Sequence, residues 1–140
     1  MADALEGLGP GTDELQELLE VALAAAEAGA QVLRGRDAAA FEAVTKSSDG
    51  DWVTAFDVAA EEAVTAVLRE RRPYDVITGE ESGTWVPPQR SGLRWSVDPL
   101  DGTTNFIRDI VYYATSVAAC DEQGNWLVGV VNASALGRAD

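Results

Sequence analysis

Histidine is absent from this chain of 140 residues, cysteine occurs once, and only 10 basic side chains stand against 24 acidic ones. Each scarcity removes a class of function. Without histidine, no Ser-His-Asp triad, histidine-based zinc site or Cys-His nucleophile pair can be assembled within the chain. A lone Cys120 forms no internal disulfide, so nothing marks a secreted, stapled fold. Set in an apolar run, it reads as a buried bystander rather than a reactive thiol. The net charge of −14 disfavours nucleic acid, whose phosphates are bound by neutralising Lys and Arg. The same charge is compatible with divalent cations held by carboxylate oxygens, although solubility alone accounts for it equally well. No apolar run approaches the ~18 residues that span a bilayer, and the acidic start, Met1 to Glu14, does not look like a secretory or mitochondrial leader. A cytoplasmic protein with no membrane partner is expected.

The rest of the composition, 46% hydrophobic and 24% charged, is that of an ordinary globular protein with one modest core. Residues 1–11, Gly-rich and acidic, read as a flexible tail, and residues 12–140 as one domain. Thr12 looks like a helix N-cap. Leu15, Leu18, Leu19, Ala22 and Ala26 share one face, which predicts an amphipathic helix to about Arg34. Val44 to Asp51 reads as a polar loop. A second helix is expected from about Asp57 through Ala60, Ala63, Val64 and Val67, closed by Arg69, Arg71, Arg72 and Pro73. Val76 to Thr78 reads as a strand running into Gly79-Glu80-Glu81, and Ser82 to Gly92 as a loop. Leu93–Val97, Tyr112–Cys120 and Trp126–Val131 read as further strands, with hairpin chemistry at Asp121 to Asn125. Two helices followed by a run of strands is an α+β layout, with helices covering one face of a mainly antiparallel sheet. The chain stops soon after its last strong strand with no closing element, so an open sheet edge and an incomplete domain are expected.

The chemistry concentrates in Trp95-Ser96-Val97-Asp98-Pro99-Leu100-Asp101-Gly102-Thr103-Thr104-Asn105-Phe106. Asp98 ends a strand and Pro99 fixes a turn, so that Asp101 can swing back and aim its carboxylate at the same point. Two divalent metals ~3.5–4 Å apart need a bridging carboxylate and further hard oxygens. The carbonyl of Leu100 is one such oxygen. Gly102 permits close approach of the backbone to a ligand, and the amides of Thr103 and Thr104 suit phosphate oxygens if they open a helix. Taken singly, the Asp-Pro-Leu-Asp-Gly run also reads as a surface turn. Glu80-Glu81 reads as a solvated turn, and Asp57 with Glu61 and Glu62 as a capped helix start.

Taken together, these blocks resemble the inositol monophosphatase family. Trp95 to Arg108 resembles its Asp-Pro-Ile/Leu-Asp-Gly-Thr-Thr-Asn-Phe signature. Asp51-Trp52-Val53-Thr54-Ala55-Phe56-Asp57 looks like its Asp-x-Val-Thr-x-x-Asp segment, and Ile77-Thr78-Gly79-Glu80-Glu81-Ser82 like its Ile-x-Gly-Glu-Glu-Ser segment. Gly129-Val130-Val131-Asn132-Ala133 looks like the strand after the signature. Four blocks in order cover nearly the whole chain after the tail, and their wording is similar to that of bacterial members. The resemblance implies the layered αβ sandwich of the sugar and inositol phosphatases, with its C-terminal half absent here. It implies Glu80, Asp98, the Leu100 carbonyl and Asp101 as Mg²⁺ ligands, with Asp98 bridging two ions. Glu80 and Thr103 would orient and help deprotonate the attacking water, and Asp57 would hold the threonine hydroxyl. Gly102 and Thr103 would cradle phosphate, with Asp101 and Leu100 beside the substrate. Lys46 would lie in a mobile loop that approaches a third, weaker metal.

The implied activity is hydrolysis of a phosphate monoester of a small polyol, inositol monophosphate first, by metal-activated water. A homodimer is implied for a complete version. Two departures accompany the likeness. Family members run to nearly twice this length, and the Trp-Asp-x-Ala-Ala motif of their second half has no match, since Trp52, Trp85, Trp95 and Trp126 are not followed by aspartate. After Phe106 the family often has Gly and Pro, where this chain has Ile107-Arg108-Asp109-Ile110-Val111. Thr104-Asn105-Phe106 favours the inositol-type branch over the bisphosphate nucleotidases. Histidinol-phosphate and fructose-1,6-bisphosphate remain alternative substrates, and a truncated, non-catalytic remnant or partner module is the rival reading.

Overall fold

A computed structural model describes residues 11–35, 49–136 and 138–139. Residues 1–10 of the expected tail, and Lys46 with residues 44–48 of its expected loop, lie outside the described residues, while residues 49–51 of that loop are helical.

Helix α1 spans Thr12–Leu33 and α2 spans Asp49–Arg71. The buried face of α1 is Leu18, Val21, Ala22, Ala25, Ala26, Gly29, Ala30 and Leu33. These positions recur at helical spacing, and most are small, which lets α1 lie close against α2. Asp13 and Glu14 in the first turn complement the positive end of the helix dipole. Helix α2 buries Ala60, Val64 and Leu68 and ends on Arg69 and Arg71, ahead of Pro73, which cannot continue a helix.

The strands are β1 Val76–Gly79, β2 Gly83–Trp85, β3 Arg94–Asp101, β4 Ala114–Cys120, β5 Trp126–Ala133 and β6 Arg138–Ala139. A short helix, α3, Thr103–Ile107, follows β3, and a 3₁₀ turn at Ser134–Leu136 precedes β6. They form one six-stranded sheet in the order β2-β1-β3-β4-β5-β6. Only the β1–β3 pair is parallel; the other neighbours are antiparallel. The fold is thus α+β with a mainly antiparallel sheet, as expected.

Helix α1 packs over β4 and β5, and α2 over β1 and β3. Alternate strand residues, Ile77, Trp95, Val97, Val117, Ala119 and Val130, meet the two helices in the main core. A second cluster at the end of the sheet joins Leu33, Ala60, Leu100, Phe106 and Tyr113, with Phe56 packed against it. There the Phe106 ring stands edge-on to Tyr113 at 5.0 Å and tilted to Phe56 at 5.3 Å, geometries worth about 0.5–1.5 kcal/mol each beyond burial. They fasten α3 to α2 and to the residue that leads into β4.

One buried acid organises the entry to the sheet. Asp75, 1% exposed, accepts hydrogen bonds from Arg72 Nε (2.7 Å), Ser91 Oγ (2.6 Å) and Trp95 Nε1 (2.8 Å). It thereby ties the end of α2, the loop before β3 and the largest core side chain together. Cys120 is a free, buried thiol, as its sequence setting suggests.

Several boundaries differ from the sequence expectations. Gly11, not Thr12, is the N-cap of α1, and it makes no side-chain cap bond. Helix α2 begins at Asp49 rather than near Asp57, because Phe56 and Ala60 of its early turns find partners in the second core cluster that local polarity does not reveal. The loop after Ser82 contains β2, which pairs Trp85 with Ile77. Strand β3 runs through Pro99 to Asp101 instead of stopping at Val97. Strand β4 starts at Ala114 rather than Tyr112, and β5 continues to Ala133. The edge of β5 is closed in part, since β6 pairs with Asn132 and Ala133.

Candidate functional site

Asp98 and Asp101 are three residues apart, and in a regular strand an odd separation puts side chains on opposite faces. Strand β3 corrects this with an irregularity. Asp98 pairs with Ser116 and Asp101 with Ala114 of β4, so three steps on one strand meet two on the other. This is a β-bulge, and it returns both aspartates to one side. Pro99, with no N–H to give the ladder, sits inside the bulge where none is needed. Asp98 is therefore inside a strand, not at its end, and Pro99 makes a bulge rather than a turn. The hydroxyl of Thr115 donates to the Pro99 carbonyl (2.9 Å, buried) and secures the distortion.

Glu80 follows the last residue of β1, in the turn to β2. The parallel pairing of Gly79 with Val97 brings that turn beside Asp98. The Asp98 carboxyl lies near enough to Glu80 to raise its proton affinity, and both line a cavity of about 550 Å³ with Thr78, Ser96, Ser116 and Val131. Asp57 projects from α2 toward the same carboxylates. Burial, and then the charges of Glu81, Asp98 and Glu61, push its pKa up to about 6. Burial and the Asp98 carboxyl likewise hold Glu80 above the usual carboxylate range. One oxygen of Asp98, Oδ1, is buried with no hydrogen-bond partner.

Asp101 stands a little apart. It lines a neighbouring hollow of about 310 Å³ with Gly102, Asn105, Tyr112, Tyr113 and Leu136. Gly102 is the N-cap of α3 at φ 90°, ψ 43°, a region that favours glycine. A Cβ there would lie 2.8 Å from the Tyr112 carbonyl oxygen. The glycine is thus required by the chain's own packing, whatever ligand approaches it. Thr103 opens α3, and its hydroxyl donates to the Leu100 carbonyl (3.4 Å). Asn105 Nδ2 donates to the Tyr112 carbonyl (2.8 Å) and closes the loop after α3.

The structure thus brings Glu80, Asp98 and Asp57 into one neighbourhood, with Leu100, Asp101, Gly102 and Thr103 on the adjoining segment. Among the described residues, no three Asp, Glu or Cys side chains converge on one point closely enough to hold a metal ion. The donor set is nevertheless one of hard oxygens, the kind Mg²⁺ takes. The unpartnered Asp98 oxygen and the mutual repulsion of the carboxylates are what a hard cation would relieve.

Glu61 is the residue that sequence reasoning passed over as part of a capped helix start. It is 2% exposed and accepts hydrogen bonds from the backbone N–H groups of Glu81 (2.9 Å) and Ser82 (2.8 Å). Its position was a usable signal: Glu61 falls between Ala60 and Val64 on the apolar stripe, one helical turn beyond Asp57.

A mainly antiparallel sheet covered on one face by two helices defines an α+β class of layered proteins, and comparison with known sequences gives the particular family. The profile of the inositol monophosphatase family matches residues 14–139; the chain belongs to this family. It is 36% identical over 118 residues to the Nus factor SuhB of Pasteurella multocida, covering 84% of this chain and 43% of that protein. It is 38% identical over 120 residues to the histidinol-phosphatase of Mycobacterium tuberculosis, covering 86% of this chain and 45% of the relative. Among solved structures, SuhB of Mycobacterium tuberculosis superposes with a TM-score of 0.71 at 32% identity, over 89% of this chain and 43% of that one. The extragenic suppressor protein suhB of Bartonella henselae does so with a TM-score of 0.73 at 28% identity, over 88% and 46%. The chain therefore spans less than half the length of the relatives it matches. No helix among the described residues is long and apolar enough to cross a membrane.

Proposed function

We propose that this chain supplies the metal-liganding carboxylates of a magnesium-dependent phosphate monoesterase, with inositol monophosphate as substrate. The observation that carries the reading is the buried, unpartnered Oδ1 of Asp98 beside Glu80 and Asp57, whose proton affinities are both raised. Crowding of like charges around an orphaned oxygen costs free energy that a bound cation recovers. Glu80, Asp98, the Leu100 carbonyl and Asp101 would hold two Mg²⁺ ions, and a third, weaker ion would lie near the Lys46 loop.

Magnesium bound there supplies Lewis-acid chemistry, acidifying water and neutralising charge on the departing alcohol oxygen. Glu80 and Thr103 would orient the attacking water and Glu80 would accept its proton, while Asp57 would take over the threonine hydroxyl, which here donates to the Leu100 carbonyl. The water oxygen attacks phosphorus, the P–O bond to the polyol breaks, and the departing alkoxide takes up the proton that the water gave to Glu80. Gly102 and Thr103 present backbone amides to the phosphate, since the first amides of a helix lack intrahelical partners. The homodimer belongs to the same proposal.

The histidinol-phosphatases of Mycobacterium tuberculosis and Streptomyces coelicolor, at 38% and 40% identity, favour histidinol phosphate as the second candidate substrate. Phosphate release from the two esters, with Mg²⁺ and with EDTA, separates them. Magnesium-dependent release that Asp101→Asn abolishes supports the reading, and the faster ester names the substrate. Release that survives EDTA or Asp101→Asn overturns it, and silence with both esters leaves the phosphatase and the non-catalytic module both standing.

A further inference from the structure

Both oxygens of the Glu61 carboxylate are taken up by main-chain N–H groups, those of Glu81 and Ser82, at 2.9 and 2.8 Å. The same carboxylate lies against the other side of Glu80. A Cβ added to Gly79 would come within 2.3 Å of Glu61 Oε1 and 2.5 Å of its Cδ. The residue before Glu80 and the two after it are therefore seated on one buried side chain, which projects from the middle of α2. Glu80 alone in that stretch is left to face Asp98, with which it lines one cavity.

A buried carboxylate is a costly way to satisfy two amides. A neutral side chain or a tighter turn would serve a merely structural hairpin. A charged, bidentate acceptor gives the turn a fixed orientation instead, because each oxygen takes one of two successive N–H groups and charge-assisted bonds are short and directional. The helix that supplies it also supplies Asp57 one turn earlier, so one rigid element sets both Asp57 and the clamp on the Glu80 turn.

We propose that Glu61 is a positioning residue for the metal site: by clamping the Glu81 and Ser82 amides and seating Gly79, it holds Glu80 in register with Asp98. This rests on the magnesium-dependent reading above. Outer partners of this kind typically change metal affinity by about 10–100-fold when removed.

Manganese is the probe for the test, titrated into the 140-residue chain and followed by the relaxation of water protons, a readout independent of turnover. Glu61→Gln keeps one acceptor oxygen but turns an NH₂ group toward the second amide. Gly79→Ala displaces the Glu61 carboxylate without removing any charge. Both variants should bind Mn²⁺ about tenfold more weakly than wild type, while Glu62→Gln, on the exposed side of the helix, should bind as wild type does. Unchanged affinity in a folded Glu61→Gln or Gly79→Ala overturns the inference and leaves the phosphatase reading standing. A wild-type chain that takes up no Mn²⁺ sinks the metal reading and this inference with it. Should both variants unfold, the wild type decides alone. Saturating Mg²⁺ should slow hydrogen exchange at the Glu81 and Ser82 amides, because clamp and ligand are one turn, and unaltered exchange there overturns the proposal.

Discussion

The Thr115 hydroxyl donates a buried hydrogen bond of 2.9 Å to the Pro99 carbonyl, across the bulge that turns Asp98 and Asp101 to one side of the sheet. The bond matters because Pro99 interrupts the ladder where β3 is bent. Thr115→Val keeps the shape but leaves that carbonyl buried without this donor, which costs about 1–3 kcal/mol. A lower urea midpoint with an unchanged slope is expected, and a midpoint equal to wild type would show that the bulge holds without the bond.

Asp75 predicts a larger loss. Its carboxylate is the acceptor for Arg72, Ser91 and the Trp95 indole. Asp75→Ala strands a buried indole N–H and a part-buried guanidinium at once. Breaking one side of a buried ion pair costs about 3–5 kcal/mol, enough to consume much of a small domain's stability. Thermal unfolding followed by tryptophan fluorescence should show a markedly lower midpoint. A shift no larger than that of an exposed control such as Glu70→Ala would contradict the assignment.

Gly102→Ala tests the N-cap of α3. At φ 90° an alanine is strained, and its Cβ meets the Tyr112 carbonyl at 2.8 Å. Backbone strain of this kind costs about 1–3 kcal/mol. The loss should be accompanied by loosening of the Phe106–Tyr113 contact, read as sharper near-ultraviolet signals giving way to broad ones. Full retention of those signals would show that the cap tolerates a side chain.

The parts of the fold that the sequence discloses are those governed by local periodicity. The three-and-four spacing from Leu18 to Ala26 is α1, and alternation along Ala114 to Cys120 is β4. What escapes is set by distant partners. Gly83-Thr84-Trp85 is too short and too glycine-rich to read as a strand, and becomes one because Ile77 and Thr78 pair with it. Asp49 to Asp51 reads as the end of a polar loop and is helical because Phe56, two turns on, reaches Phe106. Pro99 reads as a turn until the register of β4 shows a bulge. Glu80, Asp98 and Asp57 were legible through family likeness. The buried role of Glu61 was not, because a carboxylate on a helix reads as solvated until the turn it serves is in view.

The charge on Asp57 gives a pH prediction with a definite sign. Burial, then Glu81, Asp98 and Glu61, push its pKa up to about 6 from an ordinary 3.8. The folded chain thus holds the proton more tightly than the unfolded chain does. Below pH 3.8 both states are protonated and the group is neutral to stability. Between 3.8 and about 6 only the folded state keeps its proton, so stability falls as pH rises, and above 6 the penalty is complete. In EDTA at pH 7.5, Asp57→Asn should therefore be more stable than wild type by about 1 kcal/mol, a figure reduced for solvent screening of a part-exposed carboxylate. The gap should narrow at pH 5 and close by pH 3.5. Urea melts of both chains at the three pH values decide it, and a gap that is flat with pH, or that favours wild type at 7.5, would mean that Asp57 does not bear the repulsion of its neighbours.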